Sequence, residues 1–542
     1  MRRPSSPLAL LAIILALALF AAACGSDEEA ADTESDAETE VTEEDAVDSD
    51  AEAETETEAD SDEAMADDEA GANVLRVGLQ FGPDAGLAIE SDDASILRKA
   101  AVIEGLVSSD ASGQPVPALA ESWERIDDTT WEFALRSGVV FHDGSAFDAS
   151  AVETAIAYIS GVAAPPRSLG GLVLTTEIVD DQTVRIITSD PDPILPLRLS
   201  SRSMGILAPA AYDSEPTEPW GTGPFAVSDF SPPDSLTVER FDDYWGDTAL
   251  LDGAEFRFLP DAGSRAAAIR ADELDVVDGI AIADLQAVED EADVDLIRFS
   301  LPRTASLYAN TASGAMSDPA VRQAVSLAID EDAIADGLLE GQFAPARGYF
   351  GEENDWAPQG DPDPADAAEQ AAALLEGVDE ANRSINIWTY GSRPELADIA
   401  TVAQAQLEAV GFDVEIEVGE YTPLEERVFA GEHDLFLGSR GYYFDIADAG
   451  AVLTSDFTCD GGYNLNRYCS ADFDSIITEL SLADSVEDRQ TLFAQAAQVL
   501  ADEYIGFPLV HDRARYAART DVQGLVIDPF ETTILTPQVS IG

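Results

Sequence analysis

From Val74 onward, apolar and polar positions fall into stretches of two-residue and helical rhythm. Val74-Leu75-Arg76-Val77-Gly78-Leu79 reads as a strand, and Ile96–Leu106 as a helix. Trp131–Leu135 alternates, and Thr183–Ile187 is β-branched, so both predict strands. Between Leu119 and Asp148 the chain is rich in turn residues. Asp148 is placed to cap a helix from Ala149, with Val152, Ile156 and Ile159 on one face. Strands are expected over Phe225–Phe230, Ser235–Phe241 and Glu255–Leu259, and a helix over Gly263–Ala271.

The second half is more regular. Asp318-Pro319 starts a helix, with Val321, Val325 and Ala328 as its buried stripe. Asp330 begins another that stops at Gly341, and Asp363-Pro364 a third that ends near Gly377. Ile385–Thr389 is a strand, Pro394–Val410 a helix stopped by Gly411, and Phe412, Val414, Ile416 and Val418 alternate as a strand. Thr422-Pro423-Leu424-Glu425 reads as a capping box, and Asp434–Gly438 as the next strand. This order needs crossover connections, so a largely parallel sheet covered by helices is expected.

The chain ahead of Val74 is of another kind. Arg2 and Arg3 precede an apolar run, Leu8–Ala23, that stops at Cys24. The run is short for a membrane span and has the form of a secretory signal. Ala21-Ala22-Ala23-Cys24 resembles a bacterial lipobox, whose cysteine is lipidated after cleavage, although Ala21 stands where leucine is usual. Ser26–Ala70 holds 23 acidic residues and no basic one. Such a segment buries no apolar surface, so it reads as an extended tether. With Cys24 taken by lipid, Cys459 and Cys469 remain as a possible internal pair.

Charge narrows the function. The chain carries 107 acidic and 28 basic residues. Without leader and tether, 84 and 26 remain, about −58 for the body. Nucleic acid is excluded as a partner, since phosphate binding needs clustered positive charge. Lys99 is the only lysine. An acidic, lysine-poor surface fits a high-salt medium, and attraction of cationic ligands is the alternative. His142, His433 and His511 are scattered, and no Cys/His cluster has metal-site spacing. No serine elbow or catalytic carboxylate pair is recognisable, so neither an enzyme nor a cofactor is expected.

Six phrases in order carry a resemblance. They are Pro117-Ala118-Leu119-Ala120-Glu121-Ser122-Trp123-Glu124, Thr130-Trp131-Glu132-Phe133, Gly138-Val139-Val140-Phe141-His142-Asp143-Gly144, Gly221-Thr222-Gly223-Pro224-Phe225, Tyr244-Trp245-Gly246 and Asp318-Pro319-Ala320-Val321-Arg322-Gln323-Ala324. Together they resemble the family 5 extracellular solute-binding proteins of ABC importers, the dipeptide, oligopeptide and nickel group. The resemblance implies an α/β, two-lobed periplasmic-binding-protein fold of the larger three-subdomain kind (type II, cluster C), closing on its ligand about a hinge. It divides the chain into leader 1–23, lipidated cysteine and tether 24–73, first lobe 74–107, 221–311 and 509–542, extra subdomain 108–220, and second lobe 312–508. The crossings fall near Asn310 and Pro508.

The implied function is capture of a peptide outside the cytoplasm, by a monomer tethered to the bilayer through Cys24, for delivery to a membrane permease. A nickel chelate or other polar metabolite is the alternative ligand, and a receptor or hydrolase the alternative class. Similarity to dipeptide binders gives Arg393, followed by Pro394, the ligand carboxylate, and Asp445, upstream of the Cys459–Cys469 disulfide loop, the ligand ammonium. The turn after Arg393 is short for that type, and Glu395 is close enough to neutralise it. Tyr308 and Asn310 at the first crossing, and Trp388, Tyr390, Tyr442 and Tyr443 at strand ends, are the other cleft candidates. Asp448 reads as a turn residue.

Overall fold

The computed structural model describes residues 73–110, 113–213, 218–312, 314–360 and 364–542. The leader, Cys24, the acidic segment and the cap at Asp363 lie outside the described residues.

The first strand forms as Val74–Leu79, with Leu75, Val77 and Leu79 buried. It pairs in parallel with Gly253–Phe258 on one side and with Val276–Val277 on the other. Antiparallel strands Ser235–Arg240 and Phe225–Ser231 complete that edge. The helix expected over Ile96–Leu106 is shorter, Ala94–Lys99. Ala101 has φ +52°, in the left-handed region, which takes the chain off the helical path.

The segment that follows explains two of the family-like phrases. It lies against Gly221-Thr222-Gly223, and Gly223 N–H donates to Val102 O at 3.0 Å. A Cβ on Gly223 would stand 2.0 Å from Ala101 O, and one on Gly221 2.1 Å from Val102 O, so the backbones meet only through glycine. Between them Glu104 accepts hydrogen bonds from Thr222 Oγ1 (2.8 Å), Trp245 Nε1 (2.8 Å) and Tyr244 Oη (3.1 Å). Burial pushes the Glu104 carboxyl up, against those three hydrogen bonds, which favour its charged form. The Gly-Thr-Gly and Tyr-Trp phrases thus converge on one buried carboxylate and hold the first lobe together.

A four-stranded antiparallel sheet, in the order Ala120–Arg125, Thr130–Leu135, Thr183–Thr188, Leu174–Asp180, forms the extra subdomain. Helix Ala149–Gly161 packs on it, and Asp148 Oδ1 caps that helix by accepting from Ser150 N (2.9 Å) and Ala151 N (3.2 Å). Phe133, Phe141, Val184 and Ile186 belong to a core of its own.

In the second half, Ser384–Tyr390 pairs in parallel with Asp413–Gly419 and with Leu435–Gly441, as the strand–helix alternation predicts. Helix Pro394–Val410 buries Leu396, Ile399, Ala403 and Leu407 against this sheet, and Gly411 ends it at φ +114°. Helix Pro319–Ala328 is capped by Asp318, which accepts from Ala320 N at 2.9 Å. Two expectations change. The helix after Asp330 winds as a π-type segment, Ala333–Leu338, and ends where Glu340 and Gly341 take positive φ. The capping box at Thr422 does not form, because Tyr421 already opens the helix, with Glu420 before it. Helices Ala449–Phe457, Ala471–Leu480 and Val486–Asp502 build a further core, beside which Cys459 and Cys469 form a disulfide. No described helix is long and apolar enough to cross a membrane.

Two long antiparallel strands, Val294–Ala309 and Phe507–Arg519, run through both halves. The first passes from one core at Leu301 to the other at Ala305, and the second returns between Val510 and Ala514. The pairing shifts register between Ser300 and Thr304, and buried Thr304 Oγ1 meets His511 Nδ1 there at 3.0 Å. The first changeover is therefore upstream of Asn310, inside the strand rather than at its end. The packing divides the body into two lobes joined by these strands.

Candidate functional site

The two lobes enclose a cavity of about 280 Å³ where the long strands change over. Its wall takes Gln80, Phe81 and Asp278 from the first lobe, Tyr390, Arg393, Arg440 and Tyr463 from the second, and Arg167 from the extra subdomain. Eight of the 28 basic residues line it. Seven carboxylates line it with them, so in a chain of formal charge −79 the cavity wall is close to neutral. Phe81, Tyr390, Tyr421, Phe444 and Tyr463 add aromatic surface.

Arg393 sits in front of helix Pro394–Val410, at the end of its strand, and reaches the cavity as expected. Its Nη1 is engaged, 3.2 Å from Asp512 Oδ2 and 3.7 Å from Glu395 Oε1. Arg515 shares both acids, at 3.1 and 3.4 Å. Burial opposes the charge of Arg393, but Asp512, Tyr390 and Glu395 outweigh it and hold the guanidinium above its ordinary range. These four groups form a neutral quartet linking the second lobe to the hinge strand. The proximity of Glu395 read from the sequence is present.

Asp445 is placed differently from the expected ammonium site. It lies behind the wall, paired with Arg440 (2.9 Å), Arg167 (3.4 Å) and Arg202 (3.5 Å). Burial would raise its pKa, but Arg167, Arg440 and Arg202 together hold the carboxyl well below the usual carboxylate range. A carboxylate ringed by three guanidiniums presents no net negative charge to an ammonium ion. Arg167 and Arg202 belong to the extra subdomain and also bind Asp92, at 3.0 and 2.8 Å, so the cluster clasps one lobe to the other. Arg440 further pairs with buried Asp456 at 2.9 Å. Asp448 caps helix Ala449–Phe457 through Gly450 N (2.8 Å) and pairs with Arg489 at 2.7 Å.

Of the aromatic candidates, Tyr390 lines the cavity, where its ring meets Tyr421 edge-on at 5.0 Å and its hydroxyl accepts from Ser439 N at 3.3 Å. The others are off the wall. Tyr308 is 1% exposed and packs on Phe436 inside the second lobe. Asn310 donates to Gly431 O and His433 O, both at 3.0 Å, and so ties a turn. Trp388 lies beneath the Arg427 guanidinium at 4.0 Å. Tyr442 and Tyr443 bond Glu353 and Asn354. The physical reason is common to them: the strand ends chosen from pattern alone face the lobe's interior layers as often as the cleft.

Sequence reasoning missed Lys99, Arg167, Arg440, Asp278 and Arg515 on the wall. The available signal was scarcity, because basic residues are few and one lysine stands alone.

The sequence model for "Bacterial extracellular solute-binding proteins, family 5 Middle" matches residues 114–464. The chain belongs to that family. It is 28% identical over 503 residues to "Probable di/tripeptide-binding protein 5" of Pseudomonas aeruginosa, covering 85% of this chain and 94% of that one. It is 25% identical over 458 residues to the dipeptide-binding protein of Escherichia coli, covering 76% and 84%. In fold it is similar to NikA of Staphylococcus aureus in complex with Ni(L-His)2, with TM-score 0.78, 22% identity, and coverage of 87% and 100%. It is likewise similar to DppA of Helicobacter pylori in complex with the peptide STSA, with TM-score 0.76, 21% identity, and coverage of 87% and 98%.

Proposed function

We propose that this chain is the substrate-binding subunit of an ABC importer, which captures a short peptide or a solute of similar size between its lobes and passes it to a membrane permease. The observation that carries the reading is the cavity of about 280 Å³ at the changeover of the two joining strands, walled by charged and aromatic groups from both lobes. Such a site closes by rotation about those strands, and ligand contacts made on both sides stabilise the closed state. Similarity to proteins named for dipeptides and tripeptides supports peptide as the ligand class. Arg393 and Tyr390 act as walls of this site, and Asp445 acts through the arginines it holds. We further propose that Cys24 carries a lipid, that 24–73 tethers the body to the outer face of the bacterial membrane, and that the protein works there as a monomer.

Native mass spectrometry after incubation with a dipeptide and tripeptide library tests the reading. Intact peptide retained on the protein is the expected result. A retained nickel chelate in the presence of nickel and histidine would move the ligand to the metal class. Cleaved peptides, or no retained mass from any pool, would contradict it.

A further inference from the structure

The cations on the cavity wall differ in how much of their hydrogen-bonding capacity is spent. Arg393 and Arg515 share Asp512 and Glu395. Arg440 and Arg167 bind Asp445. Arg303 binds Glu531 at 2.5 Å. Arg265 is turned onto backbone carbonyls, including Gly279 O at 2.7 Å and Asp278 O at 2.9 Å. Arg513 donates to Gly341 O at 3.0 Å. Lys99 alone among them makes no ion pair and no side-chain hydrogen bond to any described residue.

Its position is fixed all the same. Lys99 closes helix Ala94–Lys99, and its carbonyl accepts from Leu535 N at 2.9 Å, in the C-terminal segment. Its side chain is half-buried on the first-lobe wall. The carboxylates that act on it from neighbouring elements are Asp278 and Glu531. Glu531 is committed to Arg303, and Asp278 Oδ1 accepts from Gln80 N at 2.7 Å. A lysine ammonium is a compact charge with three donors on a flexible stem, whereas each arginine around it already has at least one donor engaged.

We propose that Lys99 is the anchor for a ligand carboxylate in this cavity. The proposal rests on the reading of the cavity as a solute site and names the group the solute presents to the first lobe. It takes the role that the sequence had given to Arg393, whose charge is already matched by Asp512 and Glu395. A carboxylate on Lys99 forms charge-assisted hydrogen bonds away from bulk water. A neutral ligand end leaves the ammonium with no direct hydrogen-bonded anion, facing only the longer-range charges of Asp278 and Glu531.

The single lysine supplies its own reporter. Reductive methylation with carbon-13 formaldehyde places one side-chain signal at Lys99 and keeps its charge. The probes are acetate, the dipeptide Ala-Phe and the C-terminal amide of Ala-Phe. The signal should move saturably with acetate and with Ala-Phe. In calorimetry, Ala-Phe should bind at least tenfold more tightly than its amide, and Lys99→Met should remove that preference. Heat of binding for Ala-Phe with a stationary Lys99 signal would overturn the proposal, and so would an acid-over-amide preference unchanged in Lys99→Met. Absence of heat for both dipeptides, with an acetate-dependent shift, would refute the peptide reading and leave the anchor standing. No movement with acetate or with Ala-Phe would refute the anchor.

Discussion

Asp445 separates two accounts of the site. Replacing it with asparagine keeps the side chain's size and removes its charge. In the structure that charge faces Arg440 at 2.9 Å, Arg167 at 3.4 Å and Arg202 at 3.5 Å, with only 8% of the side chain exposed. Asp92 and Asp456 remain, so three guanidiniums would share two carboxylates, of which Asp456 is buried and Asp92 is 65% exposed. Removing one member of a buried ion-paired group costs about 3–5 kcal/mol. Taking about 3 kcal/mol, and about 1 °C per kcal/mol for a body of about 470 residues, the ligand-free protein should melt about 3 °C lower. The pH dependence has a defined sign. The native carboxyl titrates below its unfolded value, so its stabilisation is present above about pH 4 and fades as pH falls further. The gap between wild type and Asp445→Asn should therefore narrow in acid. Differential scanning calorimetry of the empty protein from neutral pH down to about pH 3 measures both effects. An unchanged melting temperature together with a tenfold loss of ligand affinity would refute the clasp and restore Asp445 as a ligand contact.

Three other outcomes are expected. Burial lowers the pKa of His433 and His511 to about 4, so each remains neutral in the fold while the unfolded chain takes up a proton near pH 6.5. Stability should fall as pH drops from about 6.5 to about 4, by up to about 3 kcal/mol per histidine, and urea titrations of His511→Gln should show the smaller slope in that window. Removing the disulfide as Cys459→Ser/Cys469→Ser should cost about 2–3 kcal/mol by chemical denaturation, the loop-closure value for a separation of 10 residues; no change would mean that the loop is held by its packing alone. Cys24→Ser should move the protein from the membrane fraction to the medium, and continued attachment would refute the lipid anchor.

The strands and helices were legible because their local signals agree with their packing. Asp148, Asp318 and Gly411 stop or start helices where their chemistry requires, and Val74–Leu79 and Ser384–Tyr390 follow their apolar pattern. The misses arose where tertiary contacts decide. The chain leaves its helix at Ala101 because residues from 221 to 223, remote in sequence, need a backbone to lie against. Glu104 looked like one more acid in an acidic chain, yet three phrase residues bond it. In the site, Arg393 and Tyr390 were found because a strand end leads straight into the cavity. Pattern identifies a strand end without its facing partners, so Asp445 and Tyr308 were given exposure that three arginines and Phe436 deny them.

The central claim is that two lobes close on a solute about a pair of strands. In the structure Arg125 of the extra subdomain meets Asp484 of the second lobe at 2.7 Å. Spin labels at the exposed neighbours Glu124→Cys and Leu482→Cys report the separation of these rims directly. With a peptide that gives heat of binding, the distance distribution should sharpen and shorten relative to the empty protein. A distribution identical with and without that peptide, under conditions where calorimetry records saturation, would contradict the account.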